Sequence, residues 1–120
     1  MSILVNKRIL VVEDEAIVAD MLESFLAELG AVVVGPAGTV ARGMALAREE
    51  SIDAAILDVN IRDENVVPVA ALLRERNIPI VFATGYGDEV TEIDAGGATI
   101  IGKPYTKEHV EAALGNCFAS

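Results

Sequence analysis

Residues 7–30, KRILVVEDEAIVADMLESFLAELG, change their hydrophobic period once, and that change decides the fold. Arg8 to Val12 (RILVV) has the length and texture of a strand buried on both faces. It stops abruptly at Glu13, Asp14 and Glu15. From Ala16 the period becomes helical: Ile17, Met21, Leu22, Phe25, Leu26 and Leu29 fall on one face, and Gly30 supplies a C-terminal stop. A buried strand that ends in acids and feeds an amphipathic helix is the opening of a parallel α/β sheet.

The rest of the chain repeats that alternation. Ala31 to Gly35 (AVVVG) predicts a second strand, with Pro36 and Gly38 marking the turn after it. Thr39 caps a predicted helix to about Glu50, with Val40, Met44 and Ala47 facing inward. Ala54 to Asp58 (AAILD) is a third strand, followed by a polar loop and a short helix over Val67 to Arg76 that carries Pro68 in its first turn. Ile78 to Thr84 (IPIVFAT) and Ala98 to Lys103 (ATIIGK) are the fourth and fifth strands. Thr106 caps a last helix with Val110, Ala113, Leu114 and Phe118 apolar. Between Gly85 and Gly97 the pattern fails, and loop with at most a weak helix is expected. Strands alternating with helices give a doubly wound five-stranded parallel sheet with right-handed crossovers.

A chain of 120 residues suits one domain with a substantial core. Its 52% hydrophobic content and mean hydropathy of +0.45 exclude disorder and suit a sheet covered on both faces. No apolar run approaches the length of a membrane span. The opening MSILVNKRILVVEDE lacks the ordered regions of a signal peptide, and the single Cys117 excludes an internal disulfide framework, so a cytoplasmic protein is expected. The net charge of −10 argues against nucleic acid or anionic membrane as partner, and suits a hard cation or a partner with a basic surface.

In open parallel sheets the ligand site lies beyond the carboxyl ends of the strands. The chemically capable residues stand there: Glu13 and Asp14 after strand one, Asp58 after strand three, Thr84 after strand four and Lys103 after strand five. Singly, each has an ordinary reading. Glu13 to Glu15 would favour a helix N-terminus, Asp58 would be a turn residue, and Thr84 and Lys103 would flank Gly85 and Pro104. Jointly they make a site. Carboxylates gathered in one crevice repel one another, and an oxygen-seeking divalent cation relieves them, with Mg²⁺ the common intracellular choice. Asp58 would then be a nucleophile toward phosphorus, Lys103 would neutralise a transferred oxygen, and the Thr84 hydroxyl would hydrogen-bond another. His109, the single histidine, reads as a surface residue; Met21 and Met44 read as packing, and Tyr105 as a packing anchor.

With VVEDE (11–15), LDVN (57–60), FATGY (82–86) and KPY (103–105), nearly the whole chain resembles a response-regulator receiver domain. The FATG wording and the DVN loop resemble the subgroup called FATGUY. The resemblance implies a flavodoxin-like sheet of strand order 2-1-3-4-5, with a shortened or mobile fourth helix, in a single receiver domain over 1–120 with its core at about 7–119. It implies Asp58 as phosphoacceptor, Mg²⁺ held by Glu13 (through water), Asp14, Asp58 and the Asn60 backbone carbonyl, Thr84 and Lys103 on the phosphoryl group, and a cis peptide before Pro104. The implied partners are a histidine kinase or a histidine phosphotransfer protein and a downstream protein target. A monomer is expected, acting as a signalling phosphoacceptor rather than an enzyme, with its output through protein contacts because the sequence ends at Ser120. One departure concerns the aromatic switch position three residues before the lysine, here Ile100. Tyr86, or the whole 85–97 segment, would have to take that role, ordering around the phosphorylated pocket.

Other readings predict other features. A flavin- or nucleotide-binding flavodoxin-like module would want a Gly- or Ser/Thr-rich phosphate loop where Glu13-Asp14-Glu15 stands. A hydrolase working through an aspartyl phosphate would want a second acid for the leaving group. An unphosphorylated receiver-like adaptor would keep the fold without needing the five-residue set.

Overall fold

The computed structural model describes residues 3–61, 64–84 and 99–118. In chain order the elements are β1 (Arg8–Val12), α1 (Ala16–Glu28), β2 (Val32–Ala37), α2 (Val40–Glu49), β3 (Ala54–Asp58), β4 (Asn60–Ile61), β5 (Glu64–Asn65), α3 (Val67–Glu75), β6 (Ile80–Thr84), β7 (Thr99–Gly102) and α4 (Lys107–Phe118). Five strands form one parallel sheet in the order β2-β1-β3-β6-β7. With only those five counted along the chain, this is the anticipated order 2-1-3-4-5. The expectations for residues 85–97, including the weak fourth helix and Tyr86, lie outside the described residues.

The central strands β1, β3 and β6 are buried along nearly their whole length because both of their faces meet a helix layer. Leu10, Val12, Ala55, Leu57, Ile80 and Phe82 point into one core with residues of α2 and α3. Ile9, Val11, Ala54, Ile56, Val81 and Ala83 point into a second core with residues of α1 and α4. Alternation along a strand distributes neighbours to opposite faces, so a continuous apolar run fills both cores at once. Gly43 lets α2 lie close on β1, since a Cβ there would stand 3.2 Å from Val12 Cγ2.

Several boundaries differ from the sequence expectations. β2 does not end at Gly35: it runs through the cis Gly35–Pro36 bond to Ala37, whose carbonyl accepts from Glu13 N at 2.9 Å. Gly35 takes φ +101°, and a Cβ there would come within 3.0 Å of Val11 O, so a glycine is needed for the strand to continue through it. Ile17 is 84% exposed rather than part of the buried stripe of α1. That stripe is Ala19, Leu22, Leu26 and Leu29. At about 100° per residue Ile17 stands roughly opposite Leu26 on the helix. The stretch after Asp58, expected as loop, contains the antiparallel β4–β5 pair; Ile61 of β4 and the flanking Val59 and Val66 are buried in the α2/α3 core.

Local chemistry accounts for the helix starts. The Thr39 hydroxyl accepts from Arg42 N at 3.1 Å, the expected cap of α2. Thr39→Ala should lower stability by about 1 kcal/mol in urea unfolding, with the denaturant slope unchanged. Asn65 Oδ1 accepts from Val67 N at 2.8 Å as α3 begins, and Pro68 sits in its first turn as expected. Thr106 and His109 cap α4 reciprocally: His109 N donates to Thr106 Oγ1 at 3.1 Å, and Thr106 N donates to His109 Nδ1 at 3.2 Å.

Candidate functional site

Strand register assembles the site. Val12 pairs with Leu57, so the next residues, Glu13 and Asp58, leave the sheet side by side. Asp58 pairs with Ala83 and Thr84 with Gly102, which delivers Lys103 to the same edge. Lys103 N also donates to the Thr84 carbonyl at 2.7 Å, extending the β6–β7 pairing by one step. The peptide between Lys103 and Pro104 is cis, as the resemblance implied.

Glu13 and Asp58 are 3% and 5% exposed, which is unusual for carboxylates. Their charge is balanced by Lys103, whose Nζ donates to Asp58 Oδ2 at 2.8 Å and lies 2.9 Å from Glu13 Oε1 and 3.7 Å from Glu15 Oε1. The approach to Glu13 Oε1 is off the hydrogen-bonding direction, so that contact is an ion pair and Oε1 remains a buried acceptor without a hydrogen bond. Glu13 Oε2 accepts from Glu15 N at 3.0 Å at the entry to α1. The helix-entry reading of the acids is therefore true of one oxygen of Glu13, while the other looks into the pocket.

Oxygen atoms of Glu13, Asp14, Glu15 and Asp58 all lie within 4.8 Å of one another. This donor set is all oxygen, with Glu13 and Asp58 buried, Asp14 half-buried and Glu15 exposed. It suits a hard divalent cation, and the buried Oε1 is an acceptor that such a cation would satisfy. Of the expected site residues, the structure brings Glu13, Asp14, Asp58 and Lys103 together directly. Thr84 stands at the adjoining strand end, with its hydroxyl 3.5 Å from the Ile101 carbonyl as donor. The Asn60 backbone opens β4 two residues after Asp58, paired with Asn65. Two residues gain importance beyond the sequence expectations. Glu15 joins the oxygen cluster, which its place beside Glu13 and Asp14 could have signalled. Tyr105 is buried, and its hydroxyl lies in the electrostatic field of Glu13, Lys103, Asp58 and Glu15.

Burial pushes the Glu13 carboxyl up to about 7; Lys103 and the Glu15 amide oppose that rise, and Asp58 reinforces it. Burial alone would lower Lys103, but its hydrogen bond to Asp58 and its ion pair with Glu13 outweigh burial and raise it above the usual lysine range. The consequence for stability follows from linkage. In the unfolded chain Glu13 ionises near its ordinary 4.5, so between there and about 7 the folded state holds the extra proton. Without added metal, stability should therefore fall as pH rises from 5 to 8, with a ceiling of about 3 kcal/mol from this group. Lys103, raised rather than lowered, contributes no slope in that window. Thermal melts across the range should show the decline, and Glu13→Gln should flatten it.

The outlying residues are plainer. Ile100, at the expected aromatic position, is 43% exposed on β7. His109 is exposed, and Cys117 is half-buried on α4. Among the described residues no helix is long and apolar enough to cross a membrane.

Comparison with known proteins places this geometry. A family model described as the response regulator receiver domain matches residues 9–115. The TorCAD operon transcriptional regulatory protein TorR of Escherichia coli K12 is 32% identical over 101 residues, covering 80% of this chain and 43% of TorR. The chain spans about half the length, or less, of the curated relatives it matches. The solution structure of SdrG from Sphingomonas melonis Fr1 is 43% identical, with a TM-score of 0.83 over 95% of this chain and 98% of that one. The BeF3-activated conformation of SdrG from Pseudomonas melonis Fr1 is 41% identical, with a TM-score of 0.77 over 96% of this chain and 98% of that one.

Proposed function

Since the chain belongs to the response-regulator receiver family, we propose that residues 1–120 act as one receiver domain in which Asp58 accepts a phosphoryl group from a phosphohistidine. The observation that carries this reading is the Lys103 Nζ to Asp58 Oδ2 hydrogen bond of 2.8 Å, made inside a cluster of carboxylates at the carboxyl edge of the sheet. It supplies a nucleophilic oxygen at the rim of the core with a cation already beside it.

An Asp58 oxygen attacks phosphorus; the P–O bond forms as the P–N bond to the donor imidazole breaks, and the imidazole leaves with that electron pair. Glu13, Asp14, Asp58 and the Asn60 carbonyl would hold Mg²⁺, which fits the all-oxygen donors and the buried acceptor of Glu13. When bound, Mg²⁺ supplies charge neutralisation for the phosphoryl oxygens. Lys103 neutralises a transferred oxygen at the same edge, and Thr84, one step along the sheet, offers its hydroxyl to another. Phosphoryl transfer asks mainly for this positioning and charge balance.

The donor is a histidine kinase or a histidine phosphotransfer protein, and the phosphorylated chain, a monomer in the cytoplasm, changes its contacts with a downstream protein. Its chemistry is limited to its own phosphorylation and dephosphorylation. Treatment of the wild-type chain with a small-molecule phosphodonor and Mg²⁺ should add one phosphoryl group by intact mass, and EDTA should prevent it. No gain from such a donor or from a panel of kinases would overturn the reading in favour of an unphosphorylated adaptor. Asp14→Ala should weaken Mg²⁺ by at least about tenfold in calorimetric titration while leaving the fold intact.

A further inference from the structure

One member of the oxygen cluster has no part in the chemistry proposed above. Glu15 contributes an oxygen within 4.8 Å of oxygens of Glu13, Asp14 and Asp58. The side chains of Glu13 and Asp58 are buried, whereas that of Glu15 is 66% exposed. Glu15 therefore stands on the solvent side of the cluster, at the mouth through which a phosphodonor reaches Asp58. Its backbone is fixed there, because Glu15 N donates to Glu13 Oε2 at 3.0 Å. The side chain makes no capping hydrogen bond to α1, although Glu15 occupies the N-cap position. Its carboxylate faces Lys103 Nζ at 3.7 Å, a looser approach than the 2.8 and 2.9 Å that the same ammonium keeps to Asp58 and Glu13.

A carboxylate in that place acts on whatever approaches. A free acyl phosphate arrives as a dianion, and its phosphoryl oxygens must come to Asp58 beside this like charge. Such repulsion operates even in water and scales with the charge of the donor. Lys103 offsets Glu15 only in part, since one ammonium serves three carboxylates. We infer that Glu15 is a specificity-determining residue, whose charge at the mouth selects against small anionic phosphodonors and favours a protein donor carrying a lysine or arginine beside its phosphohistidine. A protein surface can set a cation opposite Glu15, and a small anion cannot. The net charge of −10 acts in the same direction at longer range. This inference rests on the phosphoacceptor reading above; it slows uptake from small donors without preventing it.

Initial rates of phosphoryl uptake, followed by intact mass at saturating Mg²⁺, would compare wild type, Glu15→Gln and Glu49→Gln. Glutamine keeps the side-chain length and the backbone bond to Glu13 while removing the charge. Glu49 is an exposed acid at the last residue of α2, where the chain has returned to the opposite edge of the sheet. Its replacement makes the same change in net charge away from the mouth. The donors would be acetyl phosphate and two short phosphohistidine peptides, one flanked by lysines and one by alanines. In low salt Glu15→Gln should react with acetyl phosphate about tenfold faster than wild type, as expected for a dianion about 6 Å from a unit charge in water. Wild type should prefer the lysine peptide, and Glu15→Gln should lose about threefold of that preference. Both differences should disappear at about 1 M salt, and Glu49→Gln should stay within twofold of wild type throughout. An unchanged acetyl phosphate rate, a retained lysine preference, an effect that persists in high salt, or an equal effect of Glu49→Gln would overturn the role of Glu15 alone. A wild-type chain that takes a phosphoryl group from none of the three donors would overturn both this inference and the function beneath it.

Discussion

Asp58→Asn should abolish the phosphoryl mass gain that the wild-type chain shows with a small-molecule donor and Mg²⁺. The amide keeps the size and position of the side chain at the end of β3 but has no anionic oxygen to attack phosphorus. Its carbonyl can still accept from Lys103 Nζ, as Asp58 Oδ2 does at 2.8 Å, so the fold should survive and the loss be chemical. A second signature accompanies it. Asp58 is one of the groups that hold the Glu13 proton, so its neutralisation should lower the Glu13 pKa and reduce the fall in stability between pH 5 and 8. A variant that still gained one phosphoryl group would move the acceptor to another residue.

Lys103→Ala should give the largest stability loss of the site substitutions. It removes the cation within 4 Å of Glu13, Glu15 and Asp58 together, two of them buried. Breaking a buried ion pair from one side commonly costs 3–5 kcal/mol. Lys103 is itself 17% exposed, so about 3 kcal/mol is expected at pH 8 without metal. The cost should shrink at pH 5, where Glu13 is protonated, and shrink again with saturating Mg²⁺, which binds the folded state and replaces the missing charge. Binding of Mg²⁺ should persist while phosphoryl uptake is impaired. Denaturant unfolding at the two pH values, with and without Mg²⁺, checks all of this; a pH-independent loss unaffected by metal would mean that Lys103 matters for packing and not for charge.

Legibility from sequence followed the physical range of each feature. The change of period after Val12 and the capable residues at four strand ends were visible because strand burial and strand-end placement are local consequences of pattern. Asp58, Lys103, Glu13 and Asp14 are therefore legible from the sequence alone. Ile17 was placed on the wrong face because a pattern of i+4 neighbours through Met21 and Phe25 describes the flank of α1 as well as its buried stripe. Pro36 and Gly38 read as a turn because those residue types usually break strands, and the pairing of Ala37 with Glu13 carried β2 past Pro36. The β4–β5 pair escaped notice because two-residue strands have no period. Tyr105 read as packing, which its ring fulfils; the solitude of its hydroxyl depends on distances that a sequence does not carry.

The central sheet also works as a bulkhead. Ile56 and Leu57 are bonded neighbours, yet their side chains end in separate oily compartments. Repacking on one side need not disturb the other, so the two helical coats are free to diversify independently, one for each set of outside contacts. The rim where Glu13, Asp58 and Lys103 meet lies at the carboxyl edge of the sheet that both compartments share, so an event there is placed to be registered by either coat.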